Sequence, residues 1–339
     1  MTAAPPGIEP DATTAWFAAN VPGVRPPLAF HLIPGGRSNL TYLVRDAAGA
    51  AWVLRRPPLS GVLPSAHDMG REHRIISALR DTPVPVPEAV GLCPDASVTG
   101  APFYVMSYVD GIVPRDRDAV ANTFDERQRA AAAGSLVESL VALHRVDPDE
   151  VGLGDLGRRD GYVERQLRRW GRQWEQSKTR ELPAIEEVGR RLAARVPPQG
   201  PATIVHGDYR LDNVIVSPAG EVLAVIDWEL CTLGDPLADV GLLMVYWSEP
   251  GDDVLPLGSA PTALPGFPRR DEVAAAYAHS SGRDLSDLEF YIALGYWKLA
   301  VILEGVYARS AAGAPDPASL VPRPPPAGHG RRPGQPDHR

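Results

Sequence analysis

Lysine is nearly absent from this sequence. Of 339 residues, 34 are lysine or arginine, yet only Lys178 and Lys298 are lysines, so arginine carries almost all the positive charge. Any chemistry that needs a lysine in the first half of the chain is excluded, since none precedes position 178. Cysteine is equally scarce: Cys93 and Cys231 stand far apart and outside any CxxC spacing, which excludes a disulfide framework or a structural zinc site and leaves both as small core residues. No uninterrupted apolar run approaches about 18 residues, and Met1 to Pro10 lacks a basic stretch followed by an apolar one. The sequence therefore reads as cytoplasmic, without a membrane span. Excess positive charge is missing too: the net charge of -8 argues against nucleic acid as the main partner, because binding a phosphate backbone needs a basic surface.

With 44% hydrophobic and 22% charged residues, the chain can bury a substantial core in one large or two small domains. Its 32 glycines and 36 prolines punctuate the segments densely. After a polar, proline-rich lead-in (1–24), the stretches 30–44 and 51–56 read as strands around a turn at Ala48-Gly49. A helix spans 65–79. The run Pro83-Val84-Pro85-Val86-Pro87 is extended, because alternate residues lack an N–H, and strands follow at 90–93 and 103–109. Beyond Asp110-Gly111 the pattern turns helical: 124–146, with Leu136, Leu140 and Leu143 at helical spacing, then 160–178 and 184–196. Short apolar strands lie within 203–216 and 221–229, and helices within 236–247, 270–281 and 285–309. From position 311 the composition shifts to Pro, Gly, Arg and Ala, which predicts a disordered tail (311–339). The outline is a β-rich lobe (25–110) and a larger, mainly helical lobe (111–310) with a small β insert, and a cleft between two such lobes is a natural ligand site.

Two segments carry the chemistry. One is His206-Gly207-Asp208-Tyr209-Arg210-Leu211-Asp212-Asn213, the other Val225-Ile226-Asp227-Trp228-Glu229. Phosphoryl transfer needs a carboxylate to orient the attacking hydroxyl and accept its proton, and oxygen ligands for a magnesium ion bridging nucleotide phosphates. Asp208 suits the first task. Asn213, five residues later, and Asp227, at the end of the next strand, suit the second, because hard Mg²⁺ takes few protein ligands and prefers oxygen. A metallophosphoesterase would need paired His/Asp clusters, which the eight histidines do not form.

The pattern His-Gly-Asp-x4-Asn followed by Ile-Asp-Trp-Glu resembles the aminoglycoside phosphotransferase and choline kinase family, relatives of the protein kinases. The resemblance covers about residues 25 to 310 and implies an α+β, two-lobed protein-kinase-like fold, with ATP or GTP and Mg²⁺ as cofactors. It implies that the His-Gly-Asp segment is the catalytic loop, with His206 as its support, and that the Ile-Asp-Trp segment stands where protein kinases carry Asp-Phe-Gly. Such a fold sets a small apolar residue against adenine and a cation against the phosphates two residues on. Val53 and Arg55 share a strand face and fit that spacing, with Arg55 in place of the lysine of many relatives. The cation's expected partner is a glutamate on the next helix, and Glu72 shares a face with Ile75, Ile76 and Leu79. Gly35, Gly36 and Ser38 occupy the place of the phosphate-covering loop, although the segment is not a P-loop. Tyr108 and Val109 resemble the hinge whose backbone meets adenine. Asp235 reads as a helix cap, and Asp239 as a buried brace for the catalytic loop.

For the acceptor, Tyr296, Lys298 and Glu304 interrupt an apolar helix, and Lys298 is expected either to snorkel to the surface or to face an anionic group. Glu249, Asp252 and Asp253 read as a solvated loop, or as the negative charge that an aminoglycoside kinase would need. The segments Gly-Gly-Arg-Ser-Asn-Leu-Thr-Tyr (35–42), Val-Leu-Arg-Arg-Pro-Pro (53–58) and Trp-Glu-Leu-Cys-Thr-Leu-Gly-Asp-Pro-Leu-Ala-Asp (228–239) resemble kinase-like domains found fused to, or encoded near, acyl-CoA dehydrogenases. That implies a hydroxylated acid or hydroxyacyl-CoA as acceptor. An antibiotic kinase, and a pseudokinase acting as a nucleotide-binding regulatory module, are the alternatives.

Overall fold

In the computed structural model the residues described are 5–34, 39–59, 68–252 and 260–311. The β lobe is built on an antiparallel five-stranded sheet in the order β1-β2-β3-β5-β4, with β1 Ala29–Leu32, β2 Leu40–Arg45, β3 Ala51–Arg56, β4 Ala89–Cys93 and β5 Phe103–Ser107. What the sequence presents as one strand over 30–44 is thus two. The β2–β3 hairpin closes at Ala48-Gly49, where Gly49 takes a φ of +88° and the Asp46 carboxylate accepts from the N–H groups of Ala48 and Ala50.

Alternation along β3 sorts its side chains. Leu54 is sealed on one face with Tyr42, Val44 and Phe103, and Arg56 on the same face donates to the Thr99 carbonyl; Val53 and Arg55 lie on the other face, toward helix α2 (Met69–Leu79). Asp68 caps α2 through its side chain, and Glu72, Ile75, Ile76 and Leu79 form the buried face.

The lead-in holds an element that the sequence reading left out. Helix α1 (Pro10–Asn20) begins with proline at a first-turn position, and its fully buried Phe17 packs edge-on against Trp16, Phe30 and Trp52. Only Thr13 and Phe17 are buried along α1, too sparse a pattern for hydrophobic periodicity to reveal.

The helical lobe comprises α3 (Arg117–Thr123), α4 (Glu126–Arg145), α5 (Tyr162–Ser177), α6 (Pro183–Ala193), α7 (Leu237–Tyr246), α8 (Arg270–Ser281) and α9 (Leu288–Ala311). Its β insert is two small antiparallel pairs: β6 (Thr203–Val205) with β9 (Thr232–Gly234), and β7 (Val214–Val216) with β8 (Val222–Val225). Helix α4 starts in a capping box between Asp125 and Gln128 and buries Leu136, Leu140 and Leu143 completely. Cys93 and Cys231 are buried free thiols. Helix α9 is, among the described residues, long and apolar enough to cross a membrane by length and composition; here Tyr291, Leu294, Trp297 and Val301 belong to one buried cluster with Trp170 and Trp174 of α5.

Hydrogen bonds from α2 and the proline run help fix one lobe on the other. Arg71 of α2 donates to the carbonyls of Leu156 and Cys231 at 2.9 and 2.8 Å, and the Pro85 carbonyl of the proline run accepts from Val225 N–H at 2.8 Å. Past β5, Ile112 exchanges backbone hydrogen bonds with Val216, an approach that requires glycine at 111 because a Cβ there would lie 2.6 Å from Ile215 Cγ2. The architecture is α+β and two-lobed.

Because the fully buried Phe17 is the residue through which α1 packs on the rings of Phe30 and Trp52, Phe17→Ala is expected to destabilise the protein by about 3–5 kcal/mol, as measured by denaturant unfolding. A loss below about 1 kcal/mol would show that α1 is not part of the core.

Candidate active site

Strand β6 delivers the chain into His206-Gly207-Asp208. Gly207 has a φ of +83°, and a Cβ there would sit 2.7 Å from the Leu230 carbonyl oxygen, so both conformation and space require glycine. The loop hangs on Asp239 of α7. Its carboxylate accepts from the N–H groups of His206 at 2.6 Å and Gly207 at 2.8 Å, with His144 Nε2 3.3 Å away; Tyr277 lies behind, 2.7 Å from His144 Nδ1. Burial alone would raise the Asp239 carboxyl, but the His144 hydrogen bond, the nearby histidines and the Gly207 N–H outweigh it and hold the group below its ordinary value. His206 is fully buried, its Nδ1 accepting from Asp208 N–H at 3.3 Å and its Nε2 donating to the Ile226 carbonyl at 3.0 Å. These partners make it the loop's support.

Asp208 follows, and burial pushes its carboxyl up from the usual value while Arg210 and Lys298 oppose the shift. Asn213, on the 3-10 turn Leu211–Asn213, donates its amide N–H to the Asp208 carbonyl at 2.8 Å and carboxylate at 3.0 Å, which leaves the amide oxygen turned away from Asp208. The Asn213 carbonyl in turn accepts from Ile226 N–H at 2.9 Å, tying the catalytic loop to the segment that carries Asp227. Asp227 is, among the described residues, the non-glycine residue in the left-handed region, with a φ of +68°. Such a conformation costs about 1–3 kcal/mol and persists where the surroundings over-determine it.

Arg55 reaches this segment from the β lobe. Its Nε lies 3.1 Å from Glu72, its Nη2 pairs with Asp227, and Glu229 stands 3.9 Å away. The pairing with Glu72 expected from strand and helix parity is present. Glu72 is further held by Tyr104 O–H at 3.0 Å and by Asn39, whose amide also donates to Glu229. Burial raises Glu72, with Arg55 opposing; for Asp227 burial acts in the same sense, but Arg55, His206 and Arg210 prevail and the carboxyl stays below its ordinary value.

Three carboxylates, Glu72, Asp227 and Glu229, gather around the Arg55 guanidinium. The oxygen-bearing side chains of Asn213 and Asp227 are carried on adjoining segments tied by the Ile226 N–H to Asn213 carbonyl hydrogen bond. This set fits Mg²⁺ held by few protein ligands together with phosphates, and among the described residues no group of three His, Cys, Asp or Glu forms a self-sufficient metal site.

Other expected residues fall as follows. Tyr108 and Val109 lie directly after β5 at the passage between lobes, with Arg45 over the Tyr108 ring. Gly35, Gly36, Ser38 and Asp253 lie outside the described residues. Lys298 does not snorkel outward: its Nζ donates to the Gly207 carbonyl at 2.9 Å. Glu249 and Asp252 are not a freely solvated pair, since both are engaged by Arg270. Asn39, Tyr104, Arg210 and Glu229 were not assigned from sequence. Tyr104 was recoverable, because it lies directly opposite Arg55 in the β3–β5 register; Asn39 reaches Glu229 across 190 positions, which no local pattern encodes.

Against known proteins, the family described as the phosphotransferase enzyme family matches residues 29–291. Acyl-CoA dehydrogenase family member 10 of Mus musculus is 38% identical over 282 residues, which is 82% of this chain and 26% of that protein. Acyl-CoA dehydrogenase family member 11 of Gallus gallus is 37% identical over 284 residues, 81% of this chain and 36% of the relative. The chain thus spans between about a quarter and just over a third of these relatives. A solved Ralstonia eutropha structure, named for the aminoglycoside phosphotransferases, is 32% identical with a TM-score of 0.76, covering 91% of this chain and 92% of its own. The GDP complex of an aminoglycoside 2'-phosphotransferase is 14% identical, with a TM-score of 0.60 over 92% of this chain and 95% of its own, a likeness of fold alone.

The depressed Asp239 carboxyl contributes stability that is present above the ordinary carboxylate pKa of about 4 and is lost as pH falls further. Asp239→Asn should therefore be less stable than wild type at pH 7 by about 1–3 kcal/mol, and the gap should narrow between about pH 4 and pH 2. Denaturant unfolding across that range would show a constant gap if Asp239 did not carry the effect.

Proposed function

This chain belongs to the phosphotransferase enzyme family, and from that premise we propose that it moves the terminal phosphate of ATP or GTP to a hydroxyl of a small molecule. The observation that carries the reading is the convergence of Asp208, Asn213 and Asp227 with the Arg55–Glu72 pair. Asp208 takes the proton of the acceptor hydroxyl as that oxygen bonds to the γ-phosphorus; the bond to the β–γ bridging oxygen breaks, and the nucleoside diphosphate departs with the electron pair. A carboxyl raised by burial is a better base than an exposed one, its conjugate acid lying nearer to neutral pH. Arg55, oriented by Glu72, is the cation for the phosphates. Asn213 and Asp227 would hold Mg²⁺, whose charge offsets that on the phosphate oxygens.

The acceptor we propose is a hydroxylated acid or hydroxyacyl-CoA. Support comes from relatives named for acyl-CoA dehydrogenases and from the charge around Asp208, where Arg210 and Lys298 are the dominant neighbours. An aminoglycoside kinase is the second reading, favoured by the names of structural neighbours. The acidic residues it would use, Glu249 and Asp252, are here paired with Arg270. Nothing in the set Asp208, Asn213 and Asp227 is missing, as a pseudokinase would lead one to expect.

Phosphate transfer to hydroxyacyl-CoAs, hydroxy acids, choline and aminoglycosides tests the reading. Asp208→Asn should slow transfer about 10²- to 10⁴-fold while leaving Mg-nucleotide affinity within a few-fold. If nucleotide binds but neither protein labels any acceptor, the chain is a nucleotide-binding module instead. Arg55→Ala should weaken nucleotide binding by about tenfold or more, and unchanged affinity would remove Arg55 from the phosphate site.

A further inference from the structure

Lys298 sits on α9, far in sequence from the phosphoryl-transfer motifs, and the reaction as derived above does not use it. Its Nζ lies over the Trp170 ring of α5, 5.5 Å from the centroid, and donates one of its three N–H groups to the Gly207 carbonyl at 2.9 Å, one residue before Asp208. Arg210 lies two residues beyond the base and is seated in the same manner, its guanidinium 4.7 Å from the centroid of Tyr246. Arg210 Nε is 3.4 Å from the Asp208 carboxylate and Nη1 3.4 Å from Asp212, and this buried Nε–H makes no hydrogen bond. Arg169 adds a third positive charge, 5.2 Å from the Trp170 centroid, and Arg115 lies within electrostatic reach of Arg210.

Two cations seated on aromatic faces therefore bracket the base. Both Lys298 and Arg210 are donors with no accepting atom, and the Arg210 Nε–H, ion-paired with Asp208 but not hydrogen-bonded to it, gains a hydrogen bond if a ligand oxygen accepts it. A polycation approaching Asp208 would meet like charge. We propose that Lys298 and Arg210 recognise an acyl oxygen of the acceptor, a carboxylate oxygen in a hydroxy acid or the thioester carbonyl in a hydroxyacyl-CoA, and thereby set the hydroxyl beside Asp208. This rests on the kinase reading and names the substrate feature that its acceptor site selects.

The test is calorimetric titration of the full chain, with Mg²⁺ and a non-hydrolysable ATP analogue present. The probes are the hydroxybutyrates, their coenzyme A thioesters, butane-1,3-diol, which has hydroxyls but no acyl oxygen, and kanamycin. An acyl probe should bind about tenfold or more tightly than the diol or kanamycin. Lys298→Met should lose that margin with nucleotide affinity unchanged, Lys298→Arg should recover most of it, and Arg210→Gln should act in the same direction as Lys298→Met. In turnover, Lys298→Met should raise KM for the acyl acceptor by a larger factor than it lowers kcat, and Lys298→Arg should restore KM. Preference for the free acid identifies a carboxylate as the group bound, and preference for the thioester its carbonyl. Equal acyl binding by wild type and Lys298→Met, tightest binding of the diol or kanamycin, or no acyl binding overturns the proposal. Acyl binding that depends on Lys298, with no phosphate transfer by wild type, would sink the kinase reading and leave the subsite standing.

Discussion

The buried charge cluster around Arg55 is the constraint on which the rest of the site depends. One guanidinium from β3 meets Glu72 of α2 and Asp227 of the helical lobe, with Glu229 nearby, so both lobes and the helix between them close on a single positive group. A buried carboxylate without a partner costs several kcal/mol, so each acid in the cluster fixes the position of the others. The contacts of Arg71 with Leu156 and Cys231 hold α2 at the distance this requires. The backbone of Asp227 is held in a conformation that its own preferences oppose, so strain falls on the residue where a metal-bound nucleotide would act.

Asp208 and Asp227 are both partly buried carboxylates, yet their environments drive them apart. Desolvation dominates at Asp208 and raises it, whereas the Arg55 ion pair prevails at Asp227 and lowers it. A carboxyl that is easily protonated suits proton transfer, and one that stays ionised suits a cation ligand. The difference follows from what faces each group: a direct guanidinium pair for Asp227, and for Asp208 an asparagine amide with two cations drawn partly toward other acceptors. Asp239 supports that division by fixing the peptide from His206 to Gly207, directly before Asp208.

The sequence was most informative where one short period fixes a side chain's direction. Alternation along β3 and helical spacing in α2 sufficed to face Arg55 toward Glu72, and the two acidic motifs came with their strands attached. Boundaries were less accurate: the stretch 30–44 holds two strands, Ala29–Leu32 and Leu40–Arg45, and the helix before Leu79 begins at Met69, later than its polar lead suggests. Helix α1 escaped because only two of its residues are buried. Residues that act across long separations were beyond reach: Asn39 with Glu229, His144 and Tyr277 behind Asp239, and Arg210 on Tyr246 all depend on packing between helices that no local pattern encodes. Lys298 was noticed for its rarity, but its inward direction is decided by Trp170, more than a hundred residues away.

The scarcity of lysine acquires a physical meaning at two positions. At Arg55 a planar guanidinium offers separate N–H groups to Glu72 and Asp227 at once, which a single ammonium could match only by compromise between them. Arginine there does more than replace a point charge on phosphate; it couples the orienting helix to the metal-ligand segment. At position 298 the demands are opposite. The space between Trp170 and the Gly207 carbonyl admits a slender stem with a compact charge at its end, and a lysine reaches that carbonyl with donors to spare. A chain that uses arginine almost everywhere else keeps lysine beside its proposed catalytic base, where a small, freely orienting donor can hold the loop and still meet a ligand.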